Sequence, residues 1–217
     1  MMIRMTPIAI VPSVVLLGKR PQRQLAAFAR NWDVAVVPFK AERLAKPALF
    51  DPVWNAEVLT QPAAIATATD FARARDAVVF FDAGDVQANG FQIVEDDRLG
   101  RTFTETGASY MGWAVSALLA TAVATKPFHG LALTGDGSFA MSPQILIDGA
   151  AHGARGTILL LDNRRMGAIS GLQLAQYGHD HATHDGVEID YLAWARAVRG
   201  VAAFDGFGDR VVERVEP

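Results

Sequence analysis

The 217-residue sequence contains no cysteine, which excludes disulfides and thiolate metal sites. It has no run of like charges that reads as a tail. It also has no basic patch or stripe of the kind that marks a nucleic-acid partner. Lys and Arg total 20 against 23 Asp and Glu, leaving a formal net charge of −3. It lacks an apolar run long enough for a membrane span, which takes about 20 residues. The stretch 7–18 follows Arg4 like the core of a signal peptide, but it is short, contains Pro12 and precedes no small-residue cleavage site. A buried strand at residues 13–17 is the simpler reading, and a soluble cytoplasmic protein is expected. There are no internal repeats and no low-complexity tracts.

Apolar residues make up 51% of the chain, enough for a sizeable core. Short apolar runs alternate with segments of helical length. Strands are expected at 14–17, 34–37, 77–81, 131–134 and 157–161. Helices are expected at 21–31, 61–74, 107–125, 143–152 and 187–199. Ser142 suits the N-cap of the fourth of these helices and Pro143 its first position. Residues 38–58 hold three prolines without a clear period and read as a connecting segment. Continuous apolar strands suit a parallel sheet buried on both faces. The fold class is therefore α/β, a mainly parallel central sheet with helices on both faces. Residues 1–57 form a strand-helix-strand appendage and linker, and 58–217 form the domain.

Ligands of such sheets bind beyond the carboxyl ends of the strands. Strand 131–134 runs into Gly135-Asp136-Gly137-Ser138, and strand 157–161 into Asp162-Asn163-Arg164-Arg165-Met166-Gly167. If the strands are neighbours, Asp136 and Asn163 share one crevice. A carboxylate and an amide carbonyl are hard oxygen donors, suited to Mg²⁺ or Ca²⁺. Magnesium commonly completes its six oxygens with phosphate and water. Gly135 and Gly137 let backbone approach an anion closely, and Gly167 offers the same freedom opposite. The N–H groups of Gly137 and Ser138 are candidate phosphate donors, helped by the helix that follows. Taken alone, Gly-Asp-Gly is a common turn. The signal lies in its pairing with Asn163, with 25 residues between Gly137 and that asparagine.

Gly135-Asp136-Gly137 through Asn163 resembles the magnesium and diphosphate motif of thiamine-diphosphate-dependent enzymes. The resemblance implies thiamine diphosphate and Mg²⁺ as cofactors. It implies that the metal is held by the side chains of Asp136 and Asn163 and by the backbone carbonyl of Arg165. Asp82-Ala83-Gly84-Asp85 resembles the family's first diphosphate-contacting loop. Gly137, Ser138, Gly167, Ala168 and Ile169 would line the rest of the diphosphate site. Glu105-Thr106-Gly107-Ala108-Ser109-Tyr110-Met111-Gly112 resembles the stretch that props the cofactor in its bent form, with Met111 as the prop. Within the family, the acetolactate-synthase-like branch is most similar, and the trihydroxycyclohexanedione hydrolases are nearest within that branch. That likeness rests on residues 161–169, Gly171-Leu172-Gln173, and Ile189-Asp190-Tyr191 with the helix after it. It covers roughly residues 58–204.

The resemblance implies a C–C bond made or broken next to the carbonyl of a small molecule. Both 2-oxoacid decarboxylation with carboligation and diketone hydrolysis fit. It covers only the pyrophosphate half of the family's active site. The glutamate that activates the pyrimidine ring is expected on a partner chain, as in split two-subunit members, and Glu105 is not given that role. A remnant that binds diphosphate and Mg²⁺ without catalysis, or only stabilises a partner, is the alternative.

Other features carry less. Gly18-Lys19 lacks the earlier glycine of a phosphate loop, where Ser13 stands. His179, His181 and His184 fit no common zinc spacing and read as a solvated loop. Their position after the metal turn allows an acid–base role near neutral pH. Residues 211–215 read as a short final strand.

Overall fold

The structure is a computed structural model and describes residues 34, 37–52, 54–96 and 99–204. The expected strands at 14–17 and 211–215 and the helix at 21–31 lie outside them. The chain divides into units 1–41 and 42–217.

The connecting segment expected at 38–58 is structured. Val37 opens helix α1 (Val37–Leu44), so the strand expected at 34–37 does not extend to it. Lys40-Ala41-Glu42-Arg43-Leu44 is a run of strong helix formers, and this propensity wins. Strands β1 (Ala48–Asp51) and β2 (Ala56–Leu59) pair as an antiparallel hairpin. Its turn places Asn55 at φ 49°, a backbone region that asparagine tolerates. The Asp51 carboxylate accepts the Trp54 N–H at 3.3 Å. Helix α2 (Gln61–Ala74) carries Pro62 in its first turn, where no intrahelical N–H is needed.

A four-stranded, wholly parallel sheet follows, in the order β4-β3-β5-β6. Its strands are β3 (Val78–Phe81), β4 (Thr102–Thr104), β5 (Gly130–Gly135) and β6 (Gly156–Leu161). Three of them match expected strands to within a residue at each end, and β4 was not foreseen. The chain runs from β3 to one side and then crosses back to β5 on the other. The order therefore reverses between β3 and β5, the place where open sheets leave a crevice.

Strand alternation divides the core between the two faces. On one face Val79, Phe81, Leu131 and Leu133 pack with Ile65 and Ala72 of α2 and with Val86 and Ile93 of α3 (Asp85–Ile93). On the other, Phe80 and Ala132 pack with Ala114 and Val115 of α4 (Trp113–Ala117) and with Ile145 and Leu146 of α7 (Ile145–His152). Both faces of β3 and β5 are thus covered, which explains their unbroken apolar sequence.

The long helix expected at 107–125 is replaced by a loop, then α4, then α5 (Ala120–Val123). Ser109 at φ 51° and Gly112 at φ 86° both leave helical space before α4. The Glu105 carboxylate also draws the N–H groups of Gly107 at 2.5 Å, Ala108 at 3.0 Å and Tyr110 at 3.2 Å. These bonds hold its pKa below the usual carboxylate range, Ala108 contributing most. Helix α7 begins at Ile145, with Gln144 at the N-cap and no side-chain cap, so Ser142 does not take that role. The helix expected at 187–199 is α9 (Tyr191–Arg196), capped by Asp190, whose carboxylate accepts the Ala193 N–H at 2.8 Å.

Candidate functional site

Three strand ends and one loop meet at the carboxyl edge of the sheet. After β3, Gly84 turns the chain at φ 75° and ψ −140°, a conformation essentially closed to other residues. Helix α3 starts at Asp85. After β5, Asp136 opens a single helical turn, α6 (Asp136–Phe139). After β6, Asn163, Arg164 and Arg165 form a turn that feeds α8 (Gly167–Tyr177). Neither α3 nor α8 was foreseen as a helix.

The expected residues converge. A Cβ placed on Gly167 would lie 2.7 Å from Asp85 Oδ2 and 3.0 Å from Asn163 Nδ2. A Cβ on Gly137 would lie 3.0 Å from Met166 Sδ and 3.5 Å from Met111 Cε. A Cβ on Gly84 would lie 3.9 Å from the Cβ of Ala168. Gly84, Asp85, Met111, Gly137, Asn163, Gly167 and Ala168 therefore share one small region. Met166 joins them, and nothing in the sequence motif singled it out.

Asp136 is the chemically unusual member. It is 3% exposed. Its Oδ1 accepts the Gly137 N–H at 2.9 Å, while its buried Oδ2 has no hydrogen-bond partner among the described residues. Burial pushes its pKa up to about 6; the Asp162 carboxylate, close enough to share a proton with it, adds to the shift, as does the charge of Asp185. A buried carboxylate oxygen with nothing to bond to is costly, of order 1–3 kcal/mol or more. A cation is the natural partner for it. Asn163 Oδ1 accepts the Arg165 N–H at 3.2 Å, which orients the amide at the rim.

The expected anion donors are not equally free. The helix after Gly-Asp-Gly has four residues, too few for a useful dipole, and the Gly137 N–H is held by Asp136 itself. The N-termini of α3 and α8 are better placed. Neither has a side-chain cap, so their first-turn N–H groups at Asp85, Gly167, Ala168 and Ile169 have no intrahelical acceptor. A glycine directly ahead of, or opening, an apolar periodic run was the available sequence signal. Of the groups of Asp85, only the backbone N–H can donate to an anion, because a carboxylate has no proton to give. Ser138 is buried, and its carbonyl accepts the Met141 N–H. A buried cation-seeking oxygen beside two uncapped helix starts and crowded glycines fits a metal-bound diphosphate.

Asp82 departs from its expected contact role. It is 0% exposed, and both its oxygens bond within the protein. Burial raises its pKa, and hydrogen bonds from Thr134, Ala83 and Gly112 oppose the rise.

The histidine segment is pinned to the metal turn. Met166 N–H donates to the Thr183 carbonyl at 2.7 Å, and Asp185 N–H donates to the Arg164 carbonyl at 3.0 Å. Asp180 Oδ2 takes the Ser170 hydroxyl at 2.5 Å and the Thr183 hydroxyl at 2.7 Å, and sits 3.2 Å from His184 Nε2. Those two hydroxyls lower its pKa to about 2, with His184 helping. His179 and His181 bond elsewhere, and no group of three acidic, His or Cys side chains among the described residues could hold a metal. Asp180→Ala is expected to release this loop. Amide exchange should speed up across residues 179–185 and stay unchanged in β5, and hydrogen-exchange mass spectrometry reads both.

Further supports were not legible from the motif. Arg164, at φ 54°, places its guanidinium 4.1 Å from the Trp54 ring centre and bonds Glu188 at 2.7 Å. Phe139 packs edge-on against Tyr191 and Trp194, at 5.9 and 5.8 Å between ring centres. Among the described residues no helix is long and apolar enough to cross a membrane.

Residues 82–216 match the family described as "Thiamine pyrophosphate enzyme, C-terminal TPP binding domain". The chain belongs to this family. Every expected cofactor and metal position, from Asp82 to Ile169, falls within the residues matched to the thiamine pyrophosphate enzymes. A 3D-(3,5/4)-trihydroxycyclohexane-1,2-dione hydrolase of Listeria monocytogenes serotype 4b (strain F2365) is 35% identical over 118 residues, 54% of this chain and 18% of that protein. The protein of that name from Clostridium tetani (strain Massachusetts / E88) is 32% identical over 100 residues, 46% of this chain and 16% of its own. The matched stretch thus spans less than a fifth of these curated relatives. The solved benzoylformate decarboxylase from Polynucleobacter necessarius shares the fold, with a TM-score of 0.56 at 17% identity, over 65% of this chain and 27% of that one. The α/β reading and the family resemblance both hold.

Proposed function

We propose that residues 58–217 form the diphosphate- and magnesium-binding half of a thiamine diphosphate enzyme that makes or breaks a C–C bond next to the carbonyl of a small molecule. Diketone hydrolysis is the favoured reaction, because the curated relatives bear that name. The observation that carries the reading is Asp136 Oδ2, buried and unpartnered among the described residues at the strand-end crevice. Asp136 and Asn163 hold Mg²⁺ by side-chain oxygens and Arg165 by its carbonyl. The first-turn N–H groups of α3 and α8 hold the diphosphate, with Gly84 and Gly137 keeping its path clear and Ser138 lining it. Met111, beside Gly137, supports the bent cofactor. When bound, the cofactor supplies a nucleophilic carbon and an electron sink. The protein's share is to position it and to exclude water.

The activating glutamate belongs to a pyrimidine-type domain on a partner chain. Glu105, the acidic residue nearest in sequence to Met111, spends its carboxylate on its own loop. Purification from the native host tests this assembly. The expected result is a complex with a second chain carrying such a domain. That complex turns over a carbonyl substrate only with thiamine diphosphate, and loses turnover when the partner's glutamate becomes glutamine. A complex that binds no thiamine diphosphate would overturn the reading and leave a stabilising remnant.

A further inference from the structure

The Asp82 carboxylate sits where three functional segments meet. It directly follows β3 and is 0% exposed. Its Oδ1 accepts the Ala83 N–H at 2.9 Å and the Gly112 N–H at 2.9 Å. Its Oδ2 accepts the Thr134 hydroxyl at 2.7 Å. Ala83 is next to Gly84, where α3 begins. Gly112 is next to Met111. Thr134, itself fully buried, is next but one to Asp136. No surface of the carboxylate is left for metal or phosphate.

A buried carboxylate is expensive unless its hydrogen bonds are worth more than its lost hydration. A hydroxyl would reach only part of this set. The two-pronged side chain, one terminal atom on Ala83 and Gly112 and the other on Thr134, is what joins β3, β5 and the loop ahead of α4. The connection is also tight, because a Cβ on Gly112 would lie 2.6 Å from Ser142 Oγ and 3.2 Å from the Ser138 carbonyl. Gly112 is thus closely packed against Ser142 and α6, and its bond to Asp82 fixes it, and Met111 beside it, from the other side.

We propose that Asp82 is a positioning residue that touches neither cofactor nor metal and sets the spacing between Met111 and Asp136. The proposal rests on the function above for what those two residues hold. Its geometric half, that Asp82 ties Gly112 to Thr134, stands independently.

The test uses the full chain with two readouts: amide exchange at Gly112 without cofactor, and the Mg²⁺ midpoint for thiamine diphosphate binding. Asp82→Ala is expected to speed Gly112 exchange and to raise the Mg²⁺ midpoint about 10–100-fold, the range for residues that orient metal ligands. Asp82→Asn is expected to keep both within a few-fold of wild type. Its carbonyl still accepts from Ala83 and Gly112. Its NH₂ donates to Thr134 Oγ, whose hydroxyl hydrogen turns to the Gly135 carbonyl 3.2 Å away. Thr134→Val should raise the Mg²⁺ midpoint without changing Gly112 exchange, and it carries the test if Asp82→Ala does not fold. Val79→Ala, a core change in the same strand, should lower stability and leave the midpoint alone.

Asp82→Asn as damaging as Asp82→Ala would overturn the proposal, since a charge in contact with the cofactor site would then be required. Unchanged Gly112 exchange in Asp82→Ala, or an unchanged midpoint in Thr134→Val, would also overturn it. A wild-type chain that binds no thiamine diphosphate defeats the proposed function instead. In that case Gly112 exchange in Asp82→Ala still decides the geometric half.

Discussion

Asp136→Asn is expected to make the metal-free protein more stable at neutral pH while removing its grip on the cofactor. The folded-state pKa of Asp136 is raised to about 6 from the usual 3.8, chiefly by burial. As pH rises, the unfolded chain loses this proton first, so stability falls between about pH 4 and pH 6. Above that window the fold carries the full cost of a buried charge, and two pK units correspond to roughly 3 kcal/mol at most. Asparagine keeps the acceptor for the Gly137 N–H and presents an NH₂ group beside Asp162 in place of a second negative charge. A gain of about 1–3 kcal/mol at pH 7 is expected, with the fall between pH 4 and pH 6 abolished. Urea unfolding at pH 4 and pH 7 reads both. The same change should weaken Mg²⁺-dependent cofactor binding by about 100-fold or more, because even residues behind the ligands are worth about 10–100-fold. Stability lost along with binding would mean that Asp136 is an ordinary structural carboxylate. Opposite signs are what a site built to hold a cation produces.

Gly112→Ala is expected to be among the most damaging single-methyl additions in the domain. Gly112 sits at φ 86°, and an added Cβ would lie 2.6 Å from Ser142 Oγ, 2.9 Å from Ser142 Cβ and 3.2 Å from the Ser138 carbonyl. A left-handed backbone costs a non-glycine residue about 1–2 kcal/mol. Overpacking adds about 1–3 kcal/mol. The sum, about 2–5 kcal/mol, is a large part of the stability of a typical domain, about 5–15 kcal/mol. The atoms in the way belong to the Asp136–Ser142 segment, so relief must come at the expense of the metal turn. Ser142→Gly, which removes the two nearest atoms, should recover part of the loss. The shift in urea midpoint for the single and double variants measures this. A single variant within about 0.5 kcal/mol of wild type, as for an ordinary surface change, would contradict the packing described.

The fold was legible where apolar runs were continuous. Residues 77–81, 131–134 and 157–161 are strands within a residue at each end; the first two are covered on both faces, and the third is half-buried but still an unbroken apolar run. Strand β4 was not, because Thr102-Phe103-Thr104 is three residues long at the sheet edge and two of the three are polar. The expected helix over 107–125 failed for a reason that composition hides. Ser109 and Gly112 take left-handed φ values of 51° and 86°, so the backbone leaves helical space twice before α4 begins. Helices α3 and α8 were missed because their opening glycines were read only as room for phosphate.

At the site, the motif placed Asp136, Asn163, Gly137 and Met111 in one neighbourhood, and the structure brings their loops together. The motif could not show that Asp82 faces inward, because an Asp after a strand reads alike whether it meets a ligand or its own backbone. Nor could it show Trp54 or Tyr191, whose contacts cross between segments distant in sequence, or Asp180, whose short-range partners Ser170 and Thr183 lie outside the motif.

The central claim is that Asp136, Asn163 and Arg165 hold a cation that in turn holds a diphosphate. Calorimetric titration of thiamine diphosphate into the full chain, with its partner where one is recovered, tests this most directly when run with Mg²⁺ and with EDTA. The account predicts saturable binding with Mg²⁺ that EDTA abolishes and Asp136→Asn does not show. Binding of equal strength in EDTA, or undiminished in Asp136→Asn, would contradict it.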